Sequence, residues 1–276
     1  GDWSSDVCSS DLNKITEEGV GDAIGFITRE KDHPFFLYLA YDAPHEPYHI
    51  DDTFWYDEKN WTADTKRYAA LVTHMDYNIG RLLGALKQLG LSDNTLIIFA
   101  SDNGAAIMAP RKELRCGADL RGHKGQLYEG GIKVPLIVNQ PNKVPVQTLS
   151  NIVYFPDFMP TLAALTGSTK HLPQNIDGMN ILPLFYGKQV DTDHRLLYWE
   201  FPGKQRAARR GDWKAVTVKP GKPLELYNIK EDESERYNLA GKYPKLVKKF
   251  DKEMKKEHVP SPYWPLPGEK DYPGKK

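Results

Sequence analysis

The spacing of apolar residues predicts a chain in which helices alternate with short buried strands. Apolar positions fall on one helical face over residues 13–29, and again over Thr65–Leu89, where they recur every three or four residues. Gly90 is typical of the position after a helix, because glycine adopts the left-handed conformation needed there. Continuous apolar runs of strand length occur at Phe35–Tyr41, Thr95–Ala100 and Val134–Val138. Such runs favour strands buried on both faces of a parallel sheet.

After about Lys188 the pattern changes to short strands separated by Gly, Pro and Lys. The candidates are Leu196–Phe201, Gln205–Arg210, Trp213–Lys219 and Leu224–Asn228. They predict a small antiparallel sheet, followed by a helix at about Tyr243–Lys256. We therefore predict an α/β domain with a mainly parallel sheet over residues 13–188, an antiparallel C-terminal subdomain over 189–257, and a Pro/Lys-rich tail over 258–276.

Composition narrows the classes of protein that fit this pattern. The chain has 276 residues, 40% of them apolar, which is enough for one large or two modest domains. With 37 Lys+Arg against 37 Asp+Glu, it lacks the basic excess that a nucleic-acid partner requires. No apolar run approaches the roughly 20 residues of a membrane span. Ten lysines against five acids lie between Gly241 and Lys276, and we interpret this end as solvated.

Residues 1–12 follow neither a helical nor a strand pattern. They resemble one reading frame of a common short-read sequencing adapter that runs into Asn13 without a start codon. We predict that they are an assembly artefact and that the gene is truncated at its 5′ end. A disordered native N-terminus is the alternative. If the first interpretation holds, Cys8 is not part of the protein and Cys116 is its remaining cysteine.

Three polar loops contain residues that could carry chemistry. Asp102 and Asn103 directly follow a predicted strand, where open α/β sheets bind ligands, and they offer hard oxygens suited to Ca²⁺ or Mg²⁺. His45 lies between two prolines and could donate a proton near neutral pH. Lys124, in Gly122–Gly125, could hold a tetrahedral oxyanion. Taken singly, the loop with Asp102 and Asn103 is better explained by a turn and Lys124 by a solvated lysine, while a locally bonded histidine explains His45 equally well.

Taken together and in order, the loops resemble those of the sulfatase family, whose fold is that of the alkaline phosphatase superfamily. The matching segments are Ala43–Pro47, Ser101–Gly104, Leu120–Gly131, Asp157–Leu162, Arg210–Lys214 and Leu226–Asn228. The resemblance covers about residues 13–257. It is strongest to microbial sulfatases that act on aryl or carbohydrate sulfate esters.

The resemblance implies a role for each residue of the three loops. Asp102 and Asn103 would ligate a divalent cation, usually Ca²⁺, Lys124 would hold a sulfate oxygen, and His45 would assist departure of the leaving group. The implied partner is a sulfated small molecule or glycan, and the implied location of the parent protein is periplasmic or secreted. The chemistry is consistent, because the cation and the ammonium group neutralise charge on the sulfuryl oxygens.

The sequence departs from the family at the nucleophile. Sulfatases form formylglycine from a Cys/Ser-x-Pro-x-Arg motif, whereas Cys8 is followed by Ser9-Ser10 and Cys116 by Gly117-Ala118. The family's N-terminal pair of metal-binding aspartates is also missing, and two ligands cannot fill the six to eight positions that Ca²⁺ prefers. We predict that the chain is the C-terminal part of a sulfatase, that it does not hydrolyse sulfate esters as written, and that it exposes apolar surface and is poorly soluble.

Two alternative functions remain open. One is a phosphodiesterase or phosphonate hydrolase of the same superfamily, although Tyr128–Gly131 after the lysine loop favours sulfate. The other is a non-catalytic carbohydrate-binding relative, which native upstream codons without the nucleophile motif would favour. Trp199, Glu200 and Arg209 are further candidates to face the pocket.

Overall fold

The computed structural model describes residues 11–201, 205–218 and 222–261, with side chains from Thr16 onward. Cys8 and the predicted tail beyond Ser261 lie outside the described residues. The chain divides into two units. The first unit comprises Gly1–Ile97, Ala106–Cys116 and Asn139–Pro141, and the second unit comprises Ile98–Ala105, Gly117–Val138 and Asn142–Lys276.

Two long helices dominate the first unit, as the apolar periodicity predicts. Helix α1 spans Asp11–Glu30 and α2 spans Ala63–Gln88, and their apolar faces pack together. The Thr62 hydroxyl caps α2 by accepting a hydrogen bond from the Thr65 backbone N–H at 3.2 Å. Gly90 has a φ of 70°, the left-handed conformation expected after the helix. A short helix, α3, spans Arg111–Leu114.

The predicted strand at Phe35–Tyr41 is wrong for the described structure. The segment is irregular, and Phe36 and Tyr38 are 73% and 81% exposed. A strand needs a neighbour for its backbone N–H and C=O groups, and within the described residues no strand pairs with this segment. The exposed aromatic side chains agree with the expectation of exposed apolar surface.

The other elements belong mainly to the second unit, and the strands among them lie close to their predicted positions. The strands are β1 (Ile97–Ala100), β2 (Leu136–Asn139), β3 (Leu197–Phe201), β4 (Gln205–Arg210), β5 (Trp213–Thr217) and β6 (Glu225–Asn228). The helices are α4 (Glu129–Ile132), α5 (Phe158–Leu165), α6 (Leu182–Phe185) and α7 (Pro244–Glu257). Strands β1 and β2 form one sheet and are half-buried rather than buried on both faces as predicted.

The C-terminal strands form the predicted antiparallel sheet, in the order β3-β4-β5-β6. Neighbouring residues on β4 pack on opposite faces, because side chains alternate along a strand. Ala207 faces a cluster that contains Leu127, Tyr128, Val216 and Tyr227. Ala208 faces a second cluster, which contains Ala215 and Leu226 of the sheet and Phe250 and Met254 of α7. The sheet therefore packs on one side against Leu127 and Tyr128 of the segment Leu120–Gly131, called here the glycine-rich loop, and on the other side against α7.

Asp157, the first residue of the matching segment Asp157–Leu162, holds the start of α5 in place. Asp157 is fully buried and pairs with Arg195, whose Nη2 is 2.6 Å from Oδ2. The same carboxylate accepts hydrogen bonds from the backbone N–H groups of Tyr154 at 3.0 Å and Met179 at 2.9 Å. The contacts of Asp157 therefore give this matching segment a structural role.

No helix among the described residues has the length and apolar character needed to cross a bilayer.

Candidate functional site

Backbone hydrogen bonds join the loop after β1 to the glycine-rich loop. The N–H of Gly104 donates to the carbonyl of Gly131 at 2.9 Å, and the N–H of Lys124 donates to the carbonyl of Ala105 at 2.9 Å. These bonds tie the segment that holds Asp102 and Asn103 to the segment that holds Lys124. The two loops therefore form one assembly within the second unit.

Close backbone contacts explain the glycines of this assembly. A Cβ added to Gly104 would lie 2.0 Å from the carbonyl oxygen of Gly130. A Cβ added to Gly131 would lie 2.0 Å from the carbonyl oxygen of Gln126. No side chain fits at such distances, and the obstacle is backbone that cannot rotate away. The approach of the two loops therefore requires glycine at position 104, and the folding of residues 120–131 onto themselves requires glycine at position 131.

Asp102, Asn103 and Lys124 line one cavity of about 2110 Å³ in the second unit. The Asn103 amide nitrogen donates to Oδ1 of Asp102 at 2.9 Å, and the Ser101 hydroxyl donates to the Asn103 carbonyl at 2.9 Å. The amide nitrogen of Asn103 is thus used locally, whereas its Oδ1 and Oδ2 of Asp102 are oxygens suited to a hard cation. Trp199 and Arg209 line the same cavity.

Asp102 and Asn103 are ligands of the right type for a divalent cation, but they are too few to complete its coordination shell. Asp102 and Asn103 supply one carboxylate and one carboxamide, while Ca²⁺ prefers about six to eight oxygens. Across the described part of the chain, no group of three or more His, Cys, Asp or Glu residues is arranged to hold a metal ion. The pair can therefore serve as part of a cation site.

A buried ion cluster supports the glycine-rich loop from the side of the sheet. The Lys214 ammonium group is fully buried and lies 2.8 Å from Glu129 and 2.9 Å from Glu235. Arg209 lies 3.4 Å from the second oxygen of Glu129, and the Glu129 N–H donates to Glu235 at 2.6 Å. Burial raises the pKa of the Glu235 carboxyl, and the charge of Lys214 opposes that shift. The cluster links β5 to α4, the short helix at the end of the glycine-rich loop.

Gln205 holds the backbone on both sides of the turn that follows Lys124. Its side-chain nitrogen donates to the carbonyl of Gly125 at 2.7 Å, and its side-chain oxygen accepts from the N–H of Leu127 at 3.1 Å. One amide of β4 therefore replaces two backbone partners that the loop cannot find within itself.

Arg121 anchors the beginning of the glycine-rich loop to β6. Its guanidinium donates to the Tyr227 hydroxyl at 2.7 Å and lies 3.9 Å from the centroid of the Tyr128 ring. Both tyrosine hydroxyls donate to Glu225, at 2.8 and 2.7 Å. Burial and the hydrogen bonds to Glu225 raise the pKa of both phenols. Both tyrosines therefore remain protonated donors at neutral pH.

His45 belongs to the first unit. It is exposed, and its Nδ1 lies 2.5 Å from the carbonyl oxygen of Glu46. It lines a small pocket together with Asp42, Ala43, Pro47 and Leu71. Its role in leaving-group departure stays a prediction.

Sequence reasoning identified some residues of the candidate site and missed others. Of the three further candidates, Trp199 and Arg209 line the cavity, whereas the Glu200 carboxylate is bound by Tyr198 and by Nδ1 of His258. Gln205 and the ion cluster were missed. A signal for the cluster existed, because Lys214 interrupts an otherwise apolar strand and a lysine there needs a buried partner.

Comparisons with known proteins agree with the order of these loops. A family profile described as "Sulfatase" matches residues 10–168, and one described as "N-sulphoglucosamine sulphohydrolase, C-terminal" matches residues 122–259. The chain is 32% identical to a protein from Formosa agariphila named "Sulfatase", over 95% of this chain and 54% of that protein. It is 36% identical to human N-acetylgalactosamine-6-sulfatase, over 64% of this chain and 34% of the human protein.

A solved structure shows the same relationship. The crystal structure of Ps i-CgsB in complex with k-i-k-neocarrahexaose superposes with a TM-score of 0.77 at 34% identity, covering 88% of this chain and 54% of that one. The chain thus spans about half the length of the Formosa protein and of Ps i-CgsB.

Proposed function

The chain belongs to the sulfatase family, and from this premise we propose that it supplies the cation-binding and sulfate-binding part of a sulfuric ester hydrolase. The predicted fold class, an alkaline-phosphatase-like α/β fold with a small C-terminal antiparallel sheet and helix, is confirmed. Because the chain spans about half the length of its relatives, the activity of the whole protein is part of the proposal.

One observation carries the proposal. Asp102, Asn103 and Lys124 lie on two loops that backbone hydrogen bonds join, and all three line one cavity. A carboxylate, a carboxamide and an ammonium group that line one cavity suit an anionic tetrahedral group whose charge is balanced by a cation and a lysine.

In this proposal each residue has a separate task. Asp102 and Asn103 hold part of the coordination shell of a divalent cation, Ca²⁺ or Mg²⁺. Lys124 donates hydrogen bonds to a sulfate oxygen. For His45, which belongs to the first unit, assistance to the leaving group stays a prediction from the resemblance. The cation, when bound, would neutralise negative charge on the sulfuryl oxygens.

The nucleophile is the part of the chemistry that this sequence does not supply. The family uses formylglycine, and no Cys/Ser-x-Pro-x-Arg motif occurs in the 276 residues. We therefore propose that this chain binds sulfate esters without turning them over, and that a formylglycine completes the site in the whole protein.

The substrate class that we propose is a carbohydrate sulfate. The names of the human relative and of the saccharide bound to Ps i-CgsB support a sugar rather than a simple aryl group. Trp199 supports it as well, because an aromatic side chain that lines the cavity is of the type that stacks on sugar rings. We place the parent protein in the periplasm or outside the cell.

Sulfate binding by the full chain tests the proposal. Calorimetric titration with potassium sulfate in excess CaCl₂ is expected to show binding that Lys124→Ala weakens by about tenfold or more, because a charge-assisted hydrogen bond contributes about 1.5–3 kcal/mol. The exposed Lys188→Ala is the matched control and should bind as the unmodified chain does. 4-Nitrophenyl sulfate should bind without release of nitrophenol.

Three results would contradict the proposal. Equal sulfate affinity in the Lys124→Ala variant would remove Lys124 from the site. Tighter binding of bis(4-nitrophenyl) phosphate than of 4-nitrophenyl sulfate would favour the phosphodiesterase alternative. Release of nitrophenol by the purified chain would show that the nucleophile is present after all.

Gln205 offers a second, narrower test of the same site. Gln205→Leu keeps the volume of the side chain but removes both hydrogen bonds to the loop, so we expect about tenfold weaker sulfate binding with little loss of fold. Gln174→Leu, at an exposed position, is the matched control. Sulfate titration alongside circular dichroism separates a displaced Lys124 from an unfolded chain, and unchanged affinity in Gln205→Leu would contradict a positioning role.

A further inference from the structure

Helix α7 presents a row of exposed lysines. The row, called here the lysine face, consists of Lys245, Lys248, Lys249, Lys252, Lys255 and Lys256. Successive members are separated by three, one, three, three and one positions, which is the spacing of neighbours on one side of a helix. At 1.5 Å per residue the lysine face extends over about 16 Å.

Packing fixes the direction in which these lysines point. Phe250 and Met254 are buried against Ala208, Ala215 and Leu226 of the sheet. Rotation of α7 would expose this apolar surface, so the lysine face is held toward solvent. The charges are therefore presented by an ordered helix, at the position that the sequence predicts for one.

Few acids neutralise the lysine face. Asp251 pairs with Lys255 at 2.6 Å, and Glu253 is occupied by Arg210 at 2.7 Å. Across the described ranges, the other five lysines form no ion pair. Since the chain as a whole has equal numbers of basic and acidic residues, this is a local concentration of charge.

The C-terminal end of α7 reaches the cavity of the candidate site. Glu257 and Val259 line the cavity that Lys124 also lines. Between them, Nδ1 of His258 lies 2.5 Å from Glu200 on β3, which fixes the end of the helix to the sheet. A linear molecule that follows α7 toward its C-terminus is therefore led to the cavity.

We propose that the lysine face binds the chain of a sulfated polysaccharide, one end of which enters the cavity. The inference rests on the proposed function, which assigns sulfate binding to Lys124. A row of charges suits a polyanion, whose repeated sulfate groups engage several lysines at once, and it gives a single sulfated sugar little advantage. A second contact region of this kind raises the local concentration of sulfate esters at the cavity.

The test compares two variants of the full chain that each lose four positive charges. In the first, Lys245, Lys248, Lys249 and Lys252 become Gln. In the control, the exposed Lys31, Lys143, Lys170 and Lys188 become Gln. Affinity for fluorescent dextran sulfate is measured by anisotropy from 25 to 300 mM NaCl, with uncharged dextran as the negative probe.

We expect the first variant to bind dextran sulfate about tenfold more weakly at low salt and with a shallower salt dependence, because fewer counterions are exchanged. The control should stay within about twofold of the unmodified chain. Equal affinity in the first variant, or an equal loss in the control, would overturn the proposal. Duplex DNA or phosphatidylserine vesicles binding through the same lysines as tightly as dextran sulfate would also overturn it.

Lys124→Ala separates this proposal from the proposed function. It should weaken binding of inorganic sulfate by about tenfold or more while most of the affinity for dextran sulfate remains. Loss of polymer binding only in the lysine-face variant, with no sulfate binding at Lys124, would support the docking surface and contradict the proposed catalytic site.

Discussion

Gly104→Ala is expected to destabilise the chain by about 3 kcal/mol or more. The added Cβ would lie 2.0 Å from the Gly130 carbonyl oxygen and 2.8 Å from its carbon, so the backbone itself must move. That movement breaks the hydrogen bonds from Gly104 to Gly131 and from Lys124 to Ala105. Urea unfolding followed by circular dichroism measures the loss, and sulfate titration should show that binding is lost with it.

Gly84→Ala is the matched control for this prediction. It adds the same methyl group in the interior of α2, where nothing lies within 4 Å of the new Cβ. Alanine should stabilise the helix there by about 0.5–1 kcal/mol, since glycine loses more backbone entropy on folding. If Gly104→Ala unfolds at the same urea concentration as the unmodified chain, the two loops are not packed as tightly as the distances indicate.

Lys214→Met is expected to cost about 3–5 kcal/mol at neutral pH, because it leaves the buried carboxylates of Glu129 and Glu235 without their shared cation. Arg209 still contacts Glu129, so the larger effect falls on Glu235. The exposed Lys143→Met provides the control, and its stability should change by less than about 0.5 kcal/mol.

The pH dependence of Lys214→Met identifies the cause of the loss. Burial already raises the pKa of Glu235, and without the opposing charge of Lys214 that pKa rises further. The folded state then keeps a proton that the unfolded state has released, so stability falls as the pH rises above about 4.5 and levels off above the raised pKa. Adding Glu235→Gln should remove most of this slope, and a loss that does not vary with pH would contradict the explanation.

The positions of most helices and strands could be predicted from the sequence. Helices α1, α2 and α7 and strands β3–β6 lie within a few residues of their predicted bounds, because their apolar periodicity is local information. The segment Phe35–Tyr41 could not be predicted in this way. An apolar run indicates that a segment can be buried, but its pairing into a sheet depends on a neighbouring strand from elsewhere in the chain.

For the candidate site, too, the sequence indicated some features and not others. The types and order of Asp102, Asn103, Lys124 and His45 were enough to indicate the sulfatase family, which the comparisons show independently. Their catalytic and metal-binding roles, like the domain boundaries predicted at 188 and 257, remain predictions. The sequence could not indicate that Gln205, about 80 positions after the glycine-rich loop, holds that loop, because side-chain partners at such separation leave no local pattern.

What the sequence determined by itself was the set of elements and the chemistry of its loops. Periodicity, turn residues and the ordered motifs are properties of neighbouring residues, and they can be recognised without a structure. What only the tertiary structure decided was how these parts are held: which glycines allow two loops to touch, which carboxylates share Lys214, and which side of α7 faces water. Each of these depends on distances between residues far apart in the chain, and the packing of the sheet sets those distances.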